Sequence, residues 1–250
     1  MQESIPVSAA EARPIDRADT TTPPTPGDGP LADPRALQIL STEHWSLLAS
    51  RSLSYNEAFS RAGMFLSFLS ASLIVIGFLI GSQGLSSTVA PVAVILLLAD
   101  LYIGVATLGR LISASGEELQ CVRGMNRIRH AYREILPGLE PYFVTGFYDD
   151  ARGVLATYGD VTRATSILPN VLHGLTTTIG MVGTIDTMIV GGIVAIAALG
   201  LGASLEIALF AAILASLAGF AVLALTGMRT AIAQQARAES RFPSPPDPAT

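Results

Sequence analysis

The chain has 250 residues, of which half are hydrophobic and only 14% are charged. Soluble domains carry about 25% charged residues, so this composition, with a mean hydropathy of +0.50, excludes an ordinary soluble globular protein. The single cysteine, Cys121, excludes an intrachain disulfide and any metal site built from several cysteines. The formal net charge of −5 identifies no partner, because much of the acid lies in residues 1–33, away from most of the arginines.

Residues 1–33 predict a disordered, proline-rich tail. They carry acids and prolines where a secretory signal peptide needs a basic start and an apolar core, so we expect no signal. Such a stretch cannot bury enough apolar surface to offset the entropy lost on ordering. The same argument applies to residues 242–250, with their four prolines, and predicts disorder at the end of a cytoplasmic tail formed by residues 229–250.

A cytoplasmic entry helix is predicted over residues 34–61. Asp33 can cap its N-terminus, and Pro34 suits the first helical position. No further proline or glycine interrupts the chain before Ala62. We therefore expect this helix, with at most a break near Ser41, to run directly into the membrane.

Four apolar runs predict four membrane-spanning helices. Each run reaches the roughly 20 residues that are needed to cross about 30 Å of hydrocarbon. The predicted spans are about residues 62–80, 89–108 with an extension towards 112, 175–199 and 205–227.

The predicted fold is an all-α membrane protein with two transmembrane hairpins. The connections 81–88 and 200–204 are short and carry no charge. They join the spans into hairpins at 62–112 and 174–228. A helical cytoplasmic segment, residues 113–173, links the two hairpins.

Arginines crowd one side of the predicted spans, and all 15 basic residues of the chain are arginine. The positive-inside bias therefore predicts a multi-pass protein of the cytoplasmic (inner) membrane, with both termini and the central segment in the cytoplasm. The arginines that flank the spans are Arg51, Arg61, Arg110, Arg123, Arg127, Arg129, Arg133, Arg163, Arg229, Arg237 and Arg241.

The central segment begins with a predicted helix. Ser115 and Glu118 have the spacing of a capping box, and apolar residues recur at helical spacing until Pro137. Its basic face is a candidate contact for anionic lipid headgroups or an anionic partner, although positive-inside topology accounts for it equally well. Nucleic acid is excluded as a partner, because the recognised binding folds and stacking aromatics are missing. The residues of this face are Arg123, Arg127, Arg129 and Arg133.

Two aspartates near the midpoints of two spans are the main functional clue. An ionised carboxylate at bilayer depth costs several kcal/mol, so Asp100 and Asp186 indicate a protein-facing or watery interior. Each lies a similar distance from an end of its span, so the two could meet. The nearby hydroxyls that complete this candidate proton or ion site are those of Thr107, Thr184 and Thr187.

This carboxylate pair has two interpretations. It could share one proton, bind a cation or relay protons. Alternatively, each carboxyl stays protonated and hydrogen-bonds a threonine or a backbone carbonyl as a structural contact. The spacing of the residues leaves both interpretations open.

Small residues recur every fourth position in the spans and predict close helix packing. On a helical wheel Gly104 shares the face of Asp100, and the other small residues form stripes in the first, third and fourth spans. These stripes exceed what one four-helix bundle must bury, which favours self-association. The predicted helix-packing residues are Gly63, Gly104, Gly180, Gly183, Gly191, Ala215 and Gly219.

Enzyme and metal signatures are missing from the sequence. No phosphate loop, GxSxG, HExxH or GxGxxG after a strand occurs, and no carboxylate–histidine cluster supports a metal. The sequence therefore predicts a protein without enzymatic activity, catalytic residues, cofactor or metal.

Three segments carry a family resemblance: residues 43–48 (EHWSLL), 56–61 (NEAFSR) and 122–132 (VRGMNRIRHAY). With them the chain resembles an uncharacterised family of four-span integral membrane proteins of high-GC bacteria, over about residues 40–230. The resemblance implies the four-span fold but no activity, ligand or catalytic residue. A weaker similarity in plan is to membrane effector modules of bacterial nucleotide-signalling defence systems.

Two functions are consistent with these features. The first is a homo-oligomeric membrane scaffold or accessory subunit, which contacts the lipid bilayer, itself and an unidentified membrane or cytoplasmic protein. The alternative is an ion or proton conduit that uses Asp100 and Asp186. Transport of a small solute and an undetected enzymatic activity also stay open.

The predicted topology can be tested with introduced cysteines. After replacement of Cys121, a cysteine at Ser86 should react with an impermeant thiol reagent added outside intact cells, because the connection 81–88 is predicted to be external. A cysteine at Ser166 should not react. The reverse labelling pattern would contradict the topology.

Overall fold

The computed structural model describes residues 29–159, 176–236 and 239–246, and these ranges contain helices and loops but no strand. The predicted all-α fold is confirmed. Predictions for residues 1–28, and for Arg163 and Ser166, lie outside the described residues. The helices are α1 Arg35–Gln83, α2 Val89–Ile135, α3 Ala151–Thr157, α4 Thr178–Gly200 and α5 Leu205–Ala236, with 3-10 turns at Pro30–Ala32 and Glu140–Tyr142.

Four of these helices, α1, α2, α4 and α5, are long and apolar enough to cross a membrane. The prediction of four spans is therefore confirmed. Helix α4 begins at Thr178, three residues after the predicted start of the third span. The reason is local: the side chain of Thr177 caps this helix by accepting a hydrogen bond from the Gly180 N–H at 3.1 Å.

Helices α1 and α2 form one long antiparallel pair that continues beyond the spans. They contain 49 and 47 residues, so the predicted entry helix and the predicted central helix are uninterrupted extensions of spans. Helix α1 has no break at Ser41. Asp33 accepts a hydrogen bond from the Arg35 N–H at 2.8 Å, which satisfies one of the first backbone donors as predicted.

Ion pairs hold α1 against α2 where the two helices leave the apolar region. Arg110 pairs with Glu57 of α1 at 2.9 Å and with Glu117 of its own helix at 2.8 Å. Further out, Arg51 of α1 pairs with Glu118 of α2 at 2.7 Å. We refer to this end of the molecule as the arginine-rich side, and to the end with the connections 84–88 and 201–204 as the turn side.

Helix α4 packs antiparallel to α2, and three glycines define the register. A Cβ built on Gly200 would lie 3.5 Å from the Ala90 Cβ, and one on Gly192 would lie 3.7 Å from Leu97 Cδ1. Deeper in the bundle, Gly104 of α2 lies against α4. The core between α1, α2 and α4 consists of Ala58, Ala62, Phe65, Ile76, Ala93, Leu97, Leu108, Leu111, Ala114, Val182 and Ile189.

Helix α5 packs mainly on α4, through small residues. A Cβ on Gly191 would overlap the Ser216 hydroxyl and lie 2.8 Å from the Ala212 carbonyl oxygen. A Cβ on Gly183 would overlap the side chain of Leu223, and one on Gly219 would lie 3.3 Å from Thr187 Cγ2. Only 6% of the most apolar stretch of α5 is buried, which suits a helix that faces lipid.

Three other predicted packing residues behave differently. Gly63 is exposed on α1, and a Cβ built on it would meet nothing within 4 Å among the described atoms. Gly180 and Ala215 are only half-buried. A role for these three residues in helix packing therefore stays a prediction.

The predicted disorder of residues 242–250 is wrong for the part of them that the structure describes. Residues 239–246 form an ordered segment that lies against α2 and the loop before α3; we call it the C-terminal latch. The Phe242 carbonyl accepts a hydrogen bond from the Asp149 N–H at 3.2 Å. Composition predicted disorder because it counts apolar burial, whereas the latch is held by polar contacts that another part of the chain supplies.

We predict that Gly191→Leu destabilises the packing of α5 on α4. The new side chain must displace Ser216 and the Ala212 carbonyl, and overpacking of this kind costs about 1–3 kcal/mol. Thermal unfolding in mild detergent measures the loss.

Gly227→Leu is the matched control, because a Cβ on Gly227 would meet no atom of the described residues within 4 Å. Both substitutions raise helix propensity by the same amount, because each replaces a glycine within a helix by leucine. The difference between their melting temperatures therefore measures the overpacking at position 191. Equal melting temperatures for the two variants would contradict the packing.

Candidate functional site

Asp100 lies in the interface between α1 and α2 and is 2% exposed. Its Oδ1 accepts a hydrogen bond from the Ser72 hydroxyl at 3.1 Å. Its Oδ2 is buried without a hydrogen-bond partner among the described residues. A hydroxyl from the neighbouring helix therefore satisfies one oxygen, and the other has no donor.

Asp186 is buried where α4 meets α2. It is 5% exposed, and both of its carboxylate oxygens lack a hydrogen-bond partner in the described part of the chain. A Cβ on Gly104 would overlap Asp186 Oδ1, and would lie 2.8 Å from Asp186 Cγ and 2.9 Å from Phe65 Cε2. Only glycine leaves room here for the carboxylate and the phenyl ring.

The two carboxylates lie in adjoining helix interfaces that share α2, and they occupy different levels. Gly104, which faces Asp186, lies one helical turn from Asp100 on α2, so the two aspartates are about one turn apart along this helix. No hydrogen bond links them, because the unpartnered oxygens include both of those of Asp186. The structure thus makes the aspartates neighbours at the centre of the bundle without a direct contact.

The threonines of the predicted site do not serve the aspartates. The Thr184 hydroxyl donates to the Gly180 carbonyl at 2.7 Å, and the Thr187 hydroxyl donates to the Thr184 carbonyl at 2.8 Å. Thr107 is 5% exposed on the face of α2 that carries Asp100. The structural interpretation needs a threonine or backbone partner for each carboxyl, and Asp186 has neither.

Sequence reasoning did not find Ser72. In the structure, Ser72 and Asp100 lie the same number of residues from the two ends of the connection 84–88, and such positions face each other in an antiparallel helical hairpin. The predicted connection, 81–88, begins three residues too early and makes these two distances unequal. The pairing could therefore not be read from the predicted hairpin.

The charge around this pair is unbalanced. Neither aspartate has an arginine or histidine partner among the described residues. No group of three or more metal-ligating side chains occurs in these residues either. A buried carboxylate without a compensating partner is strongly disfavoured as a charged group.

The predicted basic face of α2 is mostly occupied by internal contacts. Arg127 donates to Asp149 at 2.6 Å, and Arg133 donates to the Tyr148 hydroxyl at 3.0 Å. Arg129 donates to Asn126 at 2.8 Å. The Nε of Arg123 is buried without a partner in the described residues.

The position of this basic face also bears on its predicted contacts. Arg123 lies about 16 Å of helix beyond Ile112, the outermost end predicted for the second span. If the second span ends at Ile112, the basic face lies beyond the hydrocarbon and beyond the headgroups beside that end of the span. Contact with lipid or with an anionic partner stays a prediction.

Asp149 organises the C-terminal latch. It is 1% exposed, and its carboxylate accepts hydrogen bonds from the Ser240 hydroxyl at 2.7 Å, the Arg241 N–H at 2.9 Å and the Phe242 N–H at 2.8 Å. The guanidinium of Arg127 completes the set. Burial raises the pKa of Asp149, but these hydrogen bonds outweigh burial and hold the pKa well below its usual range.

Aromatic and polar contacts extend the latch beyond Asp149. The Phe242 ring stacks on His130 with centroids 4.3 Å apart. The Ser244 hydroxyl donates to Asp150 at 2.8 Å, and the same carboxylate caps α3 through the Gly153 N–H at 2.9 Å. The latch therefore ties the end of the chain to both α2 and α3.

A buried amide holds the loop before α3 in place. Asn126 of α2 is fully buried, and its side-chain nitrogen donates to the Tyr148 carbonyl at 2.8 Å and to the Thr157 hydroxyl at 2.9 Å. Leaving such a group unsatisfied would cost about 1–3 kcal/mol. Asn126 thus positions the loop that carries Asp149.

Comparisons with known proteins identify no relative of this chain. No protein-family model, curated protein or solved structure matches it. The resemblance to four-span proteins of high-GC bacteria therefore stays a prediction. Any function must be argued from the residues themselves.

We predict that Asp149→Ala releases the latch. The amides of Arg241 and Phe242 lose their acceptor, so their hydrogen exchange should accelerate about 10- to 100-fold, as expected for the loss of about 1.5–3 kcal/mol of local stability. In the unchanged protein the latch should persist at neutral pH. Because the folded pKa is depressed, its stabilisation should be lost only as the pH falls through that lowered value.

Glu239→Gln is the matched control, because this exposed acid contributes only its backbone carbonyl to the latch, through Arg127 at 3.0 Å. Its exchange rates should match those of the unchanged protein. Slow exchange at both amides in Asp149→Ala would show that other contacts hold the latch.

Proposed function

We propose that this protein is a proton-handling protein of the cytoplasmic membrane, in which Asp100 and Asp186 bind and release protons inside the helix bundle. The single observation that carries this proposal is that three of their four carboxylate oxygens are buried without a hydrogen-bond donor among the residues that the structure describes. An ionisable residue inside a membrane bundle is a functional candidate by default.

The cost of burial supports a functional role for the pair. A buried charge without a partner is expensive, whereas a protonated carboxyl carries no charge. Asp186 has no donor in the described chain and displaces a side chain at position 104. A group retained at this cost, and without a structural partner, is best explained by a need for titration.

A proton suits the site better than a metal cation. A hard cation such as Ca²⁺ takes 6–8 oxygen ligands. Around the two carboxylates the described residues supply the Ser72 hydroxyl, while Thr184 and Thr187 are engaged with their own helix. A proton needs only one of the unpartnered oxygens.

The second candidate function is a homo-oligomeric scaffold or accessory subunit. It is favoured by the small residues Gly63, Ser67 and Ala71, which form an exposed stripe on α1 and could allow close approach of a second copy. The extramembrane part supplies a further surface for a membrane or cytoplasmic partner. The two functions are compatible, because the carboxylates lie inside one chain and the stripe lies outside it.

We predict that replacing both Asp100 and Asp186 by asparagine abolishes proton flux in reconstituted vesicles while folding survives. Asparagine has nearly the shape of a protonated aspartate and can keep the Ser72 contact, but it cannot titrate. Flux should fall to the level of protein-free vesicles, and oligomer mass and melting temperature should stay close to those of the unchanged protein.

Two controls make the measurement specific. Glu206→Gln removes an exposed carboxylate at the outer end of α5 and should leave the flux unchanged. Asp100→Leu should cost about 1–3 kcal/mol of stability, because the Ser72 hydroxyl loses its acceptor. Full flux in the double asparagine variant, or no flux in the unchanged protein, would remove the proton-handling proposal and favour the scaffold.

A further inference from the structure

The polar residues around the two carboxylates are distributed unevenly along the membrane normal. Towards the turn side, α2 has no polar side chain over residues 89–99, α4 has none over 188–203 and α1 has none over 73–81. These three helices surround the pair, and from Asp100 to Val89 the apolar stretch is about 16 Å long. Their residues on that side include Ala93 and Ile189, which are buried.

The arginine-rich side offers a more polar route, and from Asp186 also a shorter one. Gly104, which faces Asp186, lies about 10 Å of helix from Leu111 and about 22 Å from Val89, whereas Asp100 lies equally far from both. A cavity of about 440 Å³ opens there between α1, α2 and the start of α4, and its lining includes Ser115, Glu118 and Thr178. Leu111 lines the same cavity, and Thr107 is buried one turn deeper on α2. Gly104, with Asp186 against it, lies about 4.5 Å of helix beyond Thr107.

No other charged side chain competes for this role inside the bundle. Between Ala62 and Gln83, Val89 and Gly109, and Thr178 and Gly200, the only charged residues are the two aspartates. Tyr102 is the remaining titratable group, and it is 77% exposed on the outer surface of α2. Helix α5 packs on α4, and its Glu206 lies in the first turn, at the turn-side end.

From this asymmetry we infer that the carboxylates exchange protons with the arginine-rich side alone, through the cavity beside Ser115 and past Thr107. The inference rests on the proposed proton-handling function and adds its direction. In each exchange the carboxyl O–H bond breaks, the proton passes to water at the cavity, and the carboxylate is left behind; uptake reverses the step. Between α1, α2 and α4 the turn-side packing is apolar over these ranges and supplies no group that could pass a proton, since hydrocarbon offers no hydrogen-bond partner. The Ser216 hydroxyl of α5 lies against Gly191, on the face of α4 that packs on α5.

The consequence is mechanistic. In the conformation described, the site is open to one compartment, so net transport across the membrane requires a second conformation in which the turn side opens. The proton flux expected of the unchanged protein therefore depends on that second conformation.

A plug experiment tests the direction. In a Cys121→Ser background, Ser115→Cys is labelled to completion in detergent with a bulky maleimide, and the protein is placed in lipid nanodiscs. After a pH jump, the infrared band of protonated carboxyls is followed with time, and its rate of change is the readout. The band of the double asparagine variant is subtracted first, so that only the signal of Asp100 and Asp186 is measured. We expect the label to slow this rate at least about tenfold, equivalent to about 1.4 kcal/mol of added barrier.

Ser87→Cys with the same label is the matched control, because Ser87 is an exposed residue of the turn-side connection. Its label should change the rate less than about twofold, which corresponds to under about 0.4 kcal/mol. Slowing by the label at position 87, by both labels or by neither would overturn the direction while leaving the proton-handling site intact. A band that does not titrate, or that the double asparagine variant retains, would instead overturn the proposed function itself.

Discussion

The close approach of three helices at Gly104 is the contact on which the centre of this molecule depends. Phe65 of α1 and Asp186 of α4 fill the space that a Cβ at this position would need. Membrane helices associate through such close contacts, because lipid is as apolar as their side chains and supplies no hydrophobic driving force between them. Glycine here therefore decides both how near α4 comes and where its carboxylate is buried.

Helix α2 connects this membrane contact to the extramembrane part. The same helix carries Asp100 and Gly104 in the bundle, Arg110 and Glu118 at the level of the ion pairs, and Asn126 under the loop before α3. The latch adds a second attachment for the end of α5, which otherwise packs mainly on α4.

Much of the fold could be predicted from local rules. Hydropathy, run length and the cap at Asp33 depend on neighbouring residues, so the four spans and their approximate ends were accessible. The Thr177 cap was not predicted, and the third span was therefore expected to begin three residues too early. The latch was not accessible, because residues 239–246 are ordered by the Asp149 carboxylate, about 90 residues away in the chain. The composition of a segment indicates how much apolar surface that segment can bury. It does not indicate that a buried carboxylate elsewhere in the chain, here Asp149, can accept its hydrogen bonds.

The candidate site divides in the same way. The sequence by itself determined that Asp100 and Asp186 lie near the midpoints of two long apolar runs without a basic residue in either run. Only the tertiary structure decided that Asp100 meets Ser72, that Asp186 meets Gly104, and that the threonines turn back to their own helix. Those outcomes depend on helix rotation and register, which are set by side-chain contacts across helices and leave no mark in the periodicity of any single span.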